Sequence, residues 1–515
     1  MTIEGGGGHW FILALLFVGT VAINPIGFMG GGWDDWQYLD AARCWREYGP
    51  CLPHNHWQGR WPVIAPIALL TSLFGESRLS VGLAPLIASL WCLILLVFIG
   101  NRIFRPPVGF FAAGLLLCTS AFAIQILDPA VEATELALVL GGVMALLQWR
   151  RSKSPIWPAL AGLCFGLAFQ VRETAVVAAL FAAVYVASRH CVARPRAKLL
   201  AAAIFALPFL VEVLSFFVMT GDPLYRRRLS LNHARIQSSE LLGPVDYNHS
   251  ALFNPNYIAN WRREPGIHVH WSIDGLLNLF VNAKGGLALM LIPALVLTYR
   301  RTLAPGVIKA IAVLYGISLL YICVVIYALA LDPKARMMFV PIAGLSLALA
   351  LLLVSLIDTK HRLVAGVSAG AAIGVGFFIL FIHQRVFPIE KPAAAWIAAA
   401  PGQVEIDENT RRHLALVPDA QQLPPLAGKR PMFLVKADVR CEVWAVRSRL
   451  DDDVMLIHRQ VMSRASMFDD RWSGELCLFR LARPITRQRL VDGVAEADWY
   501  KSDARRRAKS GLAIR

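Results

Sequence analysis

The stretch WFILALLFVGTVAINPIGFM, residues 10–29, followed at once by GGGWDDWQY, residues 30–38, decides the class of this chain. The first part runs for 20 residues without a charge. That is the length a helix needs to cross the hydrocarbon core of a bilayer. Glu4 and four glycines precede it, with no Lys or Arg, so it lacks the basic start of a cleavable signal peptide and reads as a retained span. Two adjacent carboxylates, Asp34 and Asp35, flanked by Trp33 and Trp36, then stand at the boundary between lipid and water. Tryptophan favours that boundary. Polar chemistry on a substrate whose other end is lipid would be done there.

Working outward, the same apolar blocks recur. The 515 residues are 57% hydrophobic and 17% charged, against about 45–50% and 25% in soluble domains. Spans are expected near residues 10–29, 79–100, 107–127, 130–149, 156–171, 174–188, 199–219, 276–298, 307–330, 338–357 and 363–383, about eleven in all. The fold class is therefore an all-α polytopic membrane protein. A β-barrel would show short alternating strands instead. Arg102/Arg105, Arg150/Arg151/Lys153, Arg189/Arg194/Arg196/Lys198, Arg300/Arg301 and Lys360/Arg362 occupy every second connection. That alternation is the positive-inside pattern and places these connections in the cytoplasm. Residues 30–78, 128–129, 172–173, 220–275, 331–337 and everything after about 384 are then external. The net charge of +16 lies largely in short loops, where it reports orientation rather than nucleic acid.

Two domains follow: a membrane domain over residues 1–388, with external loops 30–78 and 220–275, and an external C-terminal domain over residues 389–515 ending in the basic run Arg505–Lys509. Within the first loop, Val63–Phe74 is apolar but too short to span and is expected to lie in the interface. Segments such as Met432–Val435 and Leu476–Leu481 alternate, which suggests a small α/β unit. Cys44 with Cys51, and Cys441 with Cys477, fall in the external set and are candidate disulfides, as an oxidising compartment permits. Cys92, Cys118, Cys164, Cys191 and Cys323 fall in or beside spans.

The chemistry-bearing residues gather on the external side. Asp34 and Asp35 read either as a helix cap with a solvated charge or as a general base with its partner. Asp128-Pro129-Ala130-Val131-Glu132-Ala133-Thr134-Glu135 opens the fourth span. Asp128 is expected to cap it and Pro129 to sit in the first turn. Asp128, Glu132 and Glu135 then share one face, and acids at the head of a membrane helix usually face a cavity. Arg172 breaks a long apolar hairpin and either pairs with Glu173 or reaches a phosphate. Lys334 and Arg336 are basic residues in an external connection, against the positive-inside trend, and suit an anionic ligand. The pairs His54/His56 and His268/His270 have the spacing of extended-chain metal ligands.

Asp34-Asp35-x-x-Tyr38, Arg60-Trp61-Pro62 with Phe74-Gly75-Glu76-Ser77, the Asp128/Glu132 pair and Arg336-x-x-x-x-Pro341, in this order, resemble the lipid-dependent glycosyltransferases of the GT-C fold. The resemblance is to the family 39 group of protein O-mannosyltransferase-like and aminoarabinose transferase-like enzymes, over roughly residues 10–350. The family often has Lys-Pro-Pro at Arg60-Trp61-Pro62, Lys at Arg172 and Tyr at Met337. The resemblance implies an inverting transfer of a sugar from a polyprenyl-phosphate donor to an acceptor hydroxyl on a lipid, glycan or protein. It implies catalytic roles for Asp34 or Asp35, Asp128 and Glu132, and donor-phosphate contacts from Arg60, Arg172, Lys334 and Arg336. A divalent cation bridging acids and phosphate is compatible but not required. The implied setting is a bacterial inner membrane, with the active site and C-terminal domain facing the periplasm. A transporter or flippase for a lipid-linked saccharide is the alternative. Transporters tend to carry paired repeats and mid-membrane charges, whereas here the charges cluster at one face.

Overall fold

The structure is a computed structural model. It describes residues 7–23, 33–152, 154–188, 195–229, 276, 287–328, 338–359, 361–383, 389–437, 440–461 and 475–497. Lys334, Arg336, the His268/His270 pair, Cys191 and the basic run 505–509 lie outside the described residues.

Among the described residues, the membrane region is built of helices and the turns between them. Its helices are α1 (Gly7–Ile23), α2 (Trp33–Tyr48), α3 (Trp61–Phe74), α4 (Arg78–Ile103), α5 (Val108–Leu117), α6 (Ser120–Ile124), α7 (Val131–Trp149), α8 (Ile156–Val171), α9 (Ala175–Ala187), α10 (Pro195–Thr220), α11 (Leu287–Tyr299), α12 (Pro305–Cys323), α13 (Phe339–Asp358) and α14 (Arg362–His383). Five of the described helices, α4, α7, α10, α13 and α12 with its π-helical extension Val324–Ala328, are long and apolar enough to cross a bilayer. The chain is an integral membrane protein. The expected span over 107–127 is divided: α5 stops at a cap on Cys118 and the short α6 follows. Thr119 turns its hydroxyl back onto the Leu115 and Leu116 carbonyls, which holds that break.

The core runs through α4, α5, α7, α8, α12 and α13, and α13 is buried along nearly its whole length. α8 and α10 pack backbone to backbone. A Cβ at Gly162 would strike the Ala201 carbonyl, and one at Gly166 the Phe205 carbonyl, so small residues at i and i+4 allow that approach. α3, 14 residues long, lays Val63, Ile64, Ile67 and Ala68 against α2 and α4.

The first loop contains one element that composition did not reveal. α2 is an amphipathic helix with Asp34 and Asp35 in its first turn and Arg46 in its last, which suits the helix dipole at both ends. A Cys44–Cys51 disulfide ties its end to the following loop.

The C-terminal part starts with the helix Glu390–Ala399 and holds a mixed four-stranded sheet. The strands are β1 (Val404–Ile406), β2 (Met432–Ala437), β3 (Val454–Val461) and β4 (Glu475–Leu481), in the order β1-β2-β4-β3. β1 and β2 are parallel; the other pairs are antiparallel. β2 and β4 are buried on both faces, Leu434 and Leu478 facing one cluster and Phe433 and Phe479 the other. Cys441 and Cys477 form the second disulfide. This part sits on the first loop: Ala415 and Leu416 join the cluster of Tyr38, Leu39, Ala41 and Ala42. Arg43 donates to the Ala415 carbonyl at 3.0 Å, and Arg78 pairs with Glu390.

Candidate active site

Four of the connections that the charge alternation assigned to one side converge. α2 presents Asp34, and one turn later Tyr38, toward the N-cap of α3. There Arg60 Nη1 donates to the Tyr38 hydroxyl at 2.6 Å. Tyr38 is 0% exposed and Arg60 8%. Burial drives the Tyr38 pKa well above the ordinary phenol value; Arg60 opposes this, while Asp34 and Glu132 reinforce it. Burial works against the Arg60 charge, but Tyr38, Glu173 and Asp34 outweigh it and its pKa rises. Tyr38 thus stays a neutral phenol and Arg60 a full cation.

The acids that favour the Arg60 charge act on it from a distance. Its hydrogen-bond partner is a neutral phenol, and among the described residues its Nε has none. No carboxylate among them forms an ion pair with it; Asp34 and Glu173 act from further away. A bound anion would meet that Nε with a charge-assisted hydrogen bond.

The second acidic site lies beside the first. Glu132 and Glu135 are in the opening turns of α7, both buried. Arg172 caps α8 and lies between them, with Nη1 at 3.3 Å from Glu132 and 3.9 Å from Glu135. Thr174 donates to Glu135 at 2.6 Å, and Tyr321 of α12 donates to the Thr174 carbonyl at 3.0 Å. The charge of Glu132 is felt at Tyr38. Asp34, Tyr38, Arg60, Glu132, Glu135, Arg172 and Glu173 therefore form one electrostatic neighbourhood.

Residues 62–215 match the model of the family described as dolichyl-phosphate-mannose-protein mannosyltransferase. The fold matches the archaeal oligosaccharyltransferase AglB from Archaeoglobus fulgidus, solved with an inhibitory peptide and a dolichol-phosphate. The TM-score is 0.50 at 14% identity, covering 82% of this chain and 61% of that one. The fold is that of the GT-C glycosyltransferases. The chain is also similar to ArnT from Cupriavidus metallidurans bound to undecaprenyl phosphate, at 11% identity, TM-score 0.40, and coverage of 92% and 98%. It spans less than two thirds of the AglB chain. No curated protein matches in sequence.

Within this GT-C fold, the expected residues fall in distinct places. Asp34 and Asp35 open α2, and the charge of Asp34 acts on Tyr38 and Arg60. Asp128 does not cap α7. The helix starts at Val131 with the extended Ala130 as its N-cap, so Asp128 and Pro129 precede it. The chain is extended at Ala130 and turns into the helix only there. Glu132 rather than Asp128 therefore holds the first turn. Among the described residues, no group of three or more His, Cys, Asp or Glu is placed to hold a metal ion.

Several residues gained importance only in three dimensions. Tyr38 was part of the quoted motif but had no role. Glu212, an acid inside the apolar α10, carried a signal: ionisable groups within spans usually matter. Arg226 carried none, being one of three consecutive arginines after that span.

Proposed function

We propose that the protein is a membrane glycosyltransferase that moves a sugar from a polyprenyl-phosphate donor to an acceptor hydroxyl. Sugar and phosphate lie at the α2–α3–α7 site, on the external side that the charge alternation indicates. The observation that carries this reading is Arg60: a buried cation whose Nε has no acceptor among the described residues, set one helical turn from Asp34 through Tyr38. A phosphate supplies the missing anion, and guanidinium binds it with charge-assisted hydrogen bonds.

Asp34 takes the proton of the acceptor hydroxyl as the oxygen attacks the anomeric carbon. The bond from that carbon to the phosphate oxygen breaks on the opposite face, so the configuration inverts. The phosphate leaves with both electrons, and Arg60 stabilises its charge. Lys334 and Arg336 are proposed as further donor-phosphate contacts. Asp35 and Asp128 are proposed to shape the acidic site, and Arg172 to hold Glu132 in place beside the phosphate.

The test is transfer of a tagged sugar from a polyprenyl-phosphate donor in membranes, comparing wild type with Asp34→Asn and Asp35→Asn. The expected result is an inverted product and a loss of at least about a hundredfold in Asp34→Asn. A wild-type rate in Asp34→Asn would remove the base assignment. Movement of the sugar lipid across the membrane without transfer would favour a transporter.

A further inference from the structure

Glu212 is an acid in a helix that otherwise presents mostly apolar residues, yet its side chain is buried. Its counter-charge comes from beyond the helix end: Arg226 Nη1 lies 2.9 Å from Glu212. The same guanidinium does more. Nη1 also donates to the Gln170 side-chain oxygen, and Nη2 donates to the Gln170 carbonyl at 2.9 Å and lies 3.6 Å from Glu173. The Gln170 carbonyl belongs to the last turn of α8, where backbone oxygens lack helical partners. Arg172 and Glu173 follow directly in sequence. The neighbouring Tyr225 donates to the Pro53 carbonyl at 3.0 Å, in the loop that leads to Arg60. That loop is itself tied to α2, because Gln58 donates to Asp40 at 2.9 Å.

Two adjacent residues after α10 thus hold both halves of the site. Tyr225 grips the loop of Arg60, and Arg226 grips the turn of Arg172 and Glu173. Arg226 differs from Arg60 in one respect that decides its role. Both its terminal nitrogens are engaged by protein oxygens, so it has no free fork for a phosphate.

We infer that Arg226, with Glu212 as its buried counter-charge, is a positioning residue that sets the donor-phosphate subsite by fixing Gln170 and Glu173 relative to Arg60. This rests on the reading of the site as a polyprenyl-phosphate site. Removing one member of a buried pair leaves the other charge uncompensated, whereas removing both does not. The informative variant is therefore the double substitution Arg226→Met with Glu212→Gln.

The experiment measures binding of a polyprenyl phosphate to the purified full chain in lipid nanodiscs, alongside thermal unfolding. The expected result is that Arg226→Met alone unfolds earlier, while the double variant regains wild-type unfolding but binds the polyprenyl phosphate about tenfold more weakly. Wild-type affinity in the double variant would overturn the inference and leave the pair a purely structural one. Absence of binding by the wild type would instead overturn the donor assignment on which it rests. Arg226→Lys, which keeps the charge but not the fork, is expected to remain weak in binding; full recovery would argue for charge alone and against positioning by geometry.

Discussion

The Arg60 guanidinium donates to the Tyr38 hydroxyl at 2.6 Å, and both side chains are closed off from solvent. The pair joins α2, which carries the acids, to the start of α3. It is also asymmetric, because a neutral phenol cannot offset a buried positive charge. Arg60→Met is expected to lower donor binding by at least about tenfold, because it removes the guanidinium that would meet the phosphate. Donor titration together with thermal unfolding of the variant checks this. Unchanged donor affinity would sink the phosphate role of Arg60.

Arg172 presents the opposite case. It is buried between Glu132 and Glu135, so its charge is met by protein. Arg172→Met leaves two acids close together without a cation and is expected to destabilise the fold by about 3–5 kcal/mol. Arg172→Met combined with Glu135→Gln removes one charge of each sign and should recover most of that loss. A double-mutant cycle on unfolding temperature measures the coupling.

Glu76 gives a pH-dependent handle on the first loop. Arg43 Nε lies 3.0 and 3.1 Å from its two oxygens and Arg46 Nη1 at 3.2 Å. Burial raises the Glu76 pKa, but the two arginines outweigh it and hold the group below its ordinary value of 4.5. A carboxyl depressed on folding stabilises the fold above its unfolded pKa, and that contribution is lost as pH falls through the folded value. Wild type is expected to exceed Glu76→Gln in stability at neutral pH, by on the order of 1 kcal/mol for a partly screened cluster. The gap should close below about pH 4. Melting curves of both proteins from neutral to acid pH test the sign; a gap that widens in acid would refute it.

The two disulfides enclose loops of different size, with sequence separations of 7 and 36 residues. Cross-links stabilise more when they close longer loops, about 2 kcal/mol for the shorter and nearer 4 for the longer. Replacing Cys441 and Cys477 by Ser is expected to lower the unfolding temperature of the C-terminal part more than Cys44→Ser with Cys51→Ser lowers that of the whole chain. The second pair of substitutions should instead reduce sugar transfer, because that bridge ties the end of α2 to the loop ahead of Arg60. Equal effects on transfer from both pairs would contradict that division.

Much of the architecture was legible in the chain. Apolar runs of membrane length need no tertiary information, because each helix satisfies its own backbone within lipid. The spacing of Cys44 and Cys51 and the side shared by Cys441 and Cys477 marked both bridges as feasible. The sheet was harder to read: β2 and β4 are buried on both faces, so their pattern is close to continuous rather than alternating. The start of α7 was misplaced because Asp128-Pro129 mimics a capped helix in one dimension, while the extended Ala130 moves the helix start to Val131.

Sequence alone determined that this is a polytopic membrane chain with acids at the boundary end of its spans, since the length and polarity of a segment decide whether lipid will accept it. Only the tertiary structure decided which charges are already matched. Arg60, Arg172 and Arg226 are indistinguishable as letters, yet the first meets a phenol, the second two glutamates, and the third a glutamate and a helix end. The reason is that compensation of a buried charge depends on distances of a few ångströms between residues scores of positions apart, and no local pattern encodes those distances.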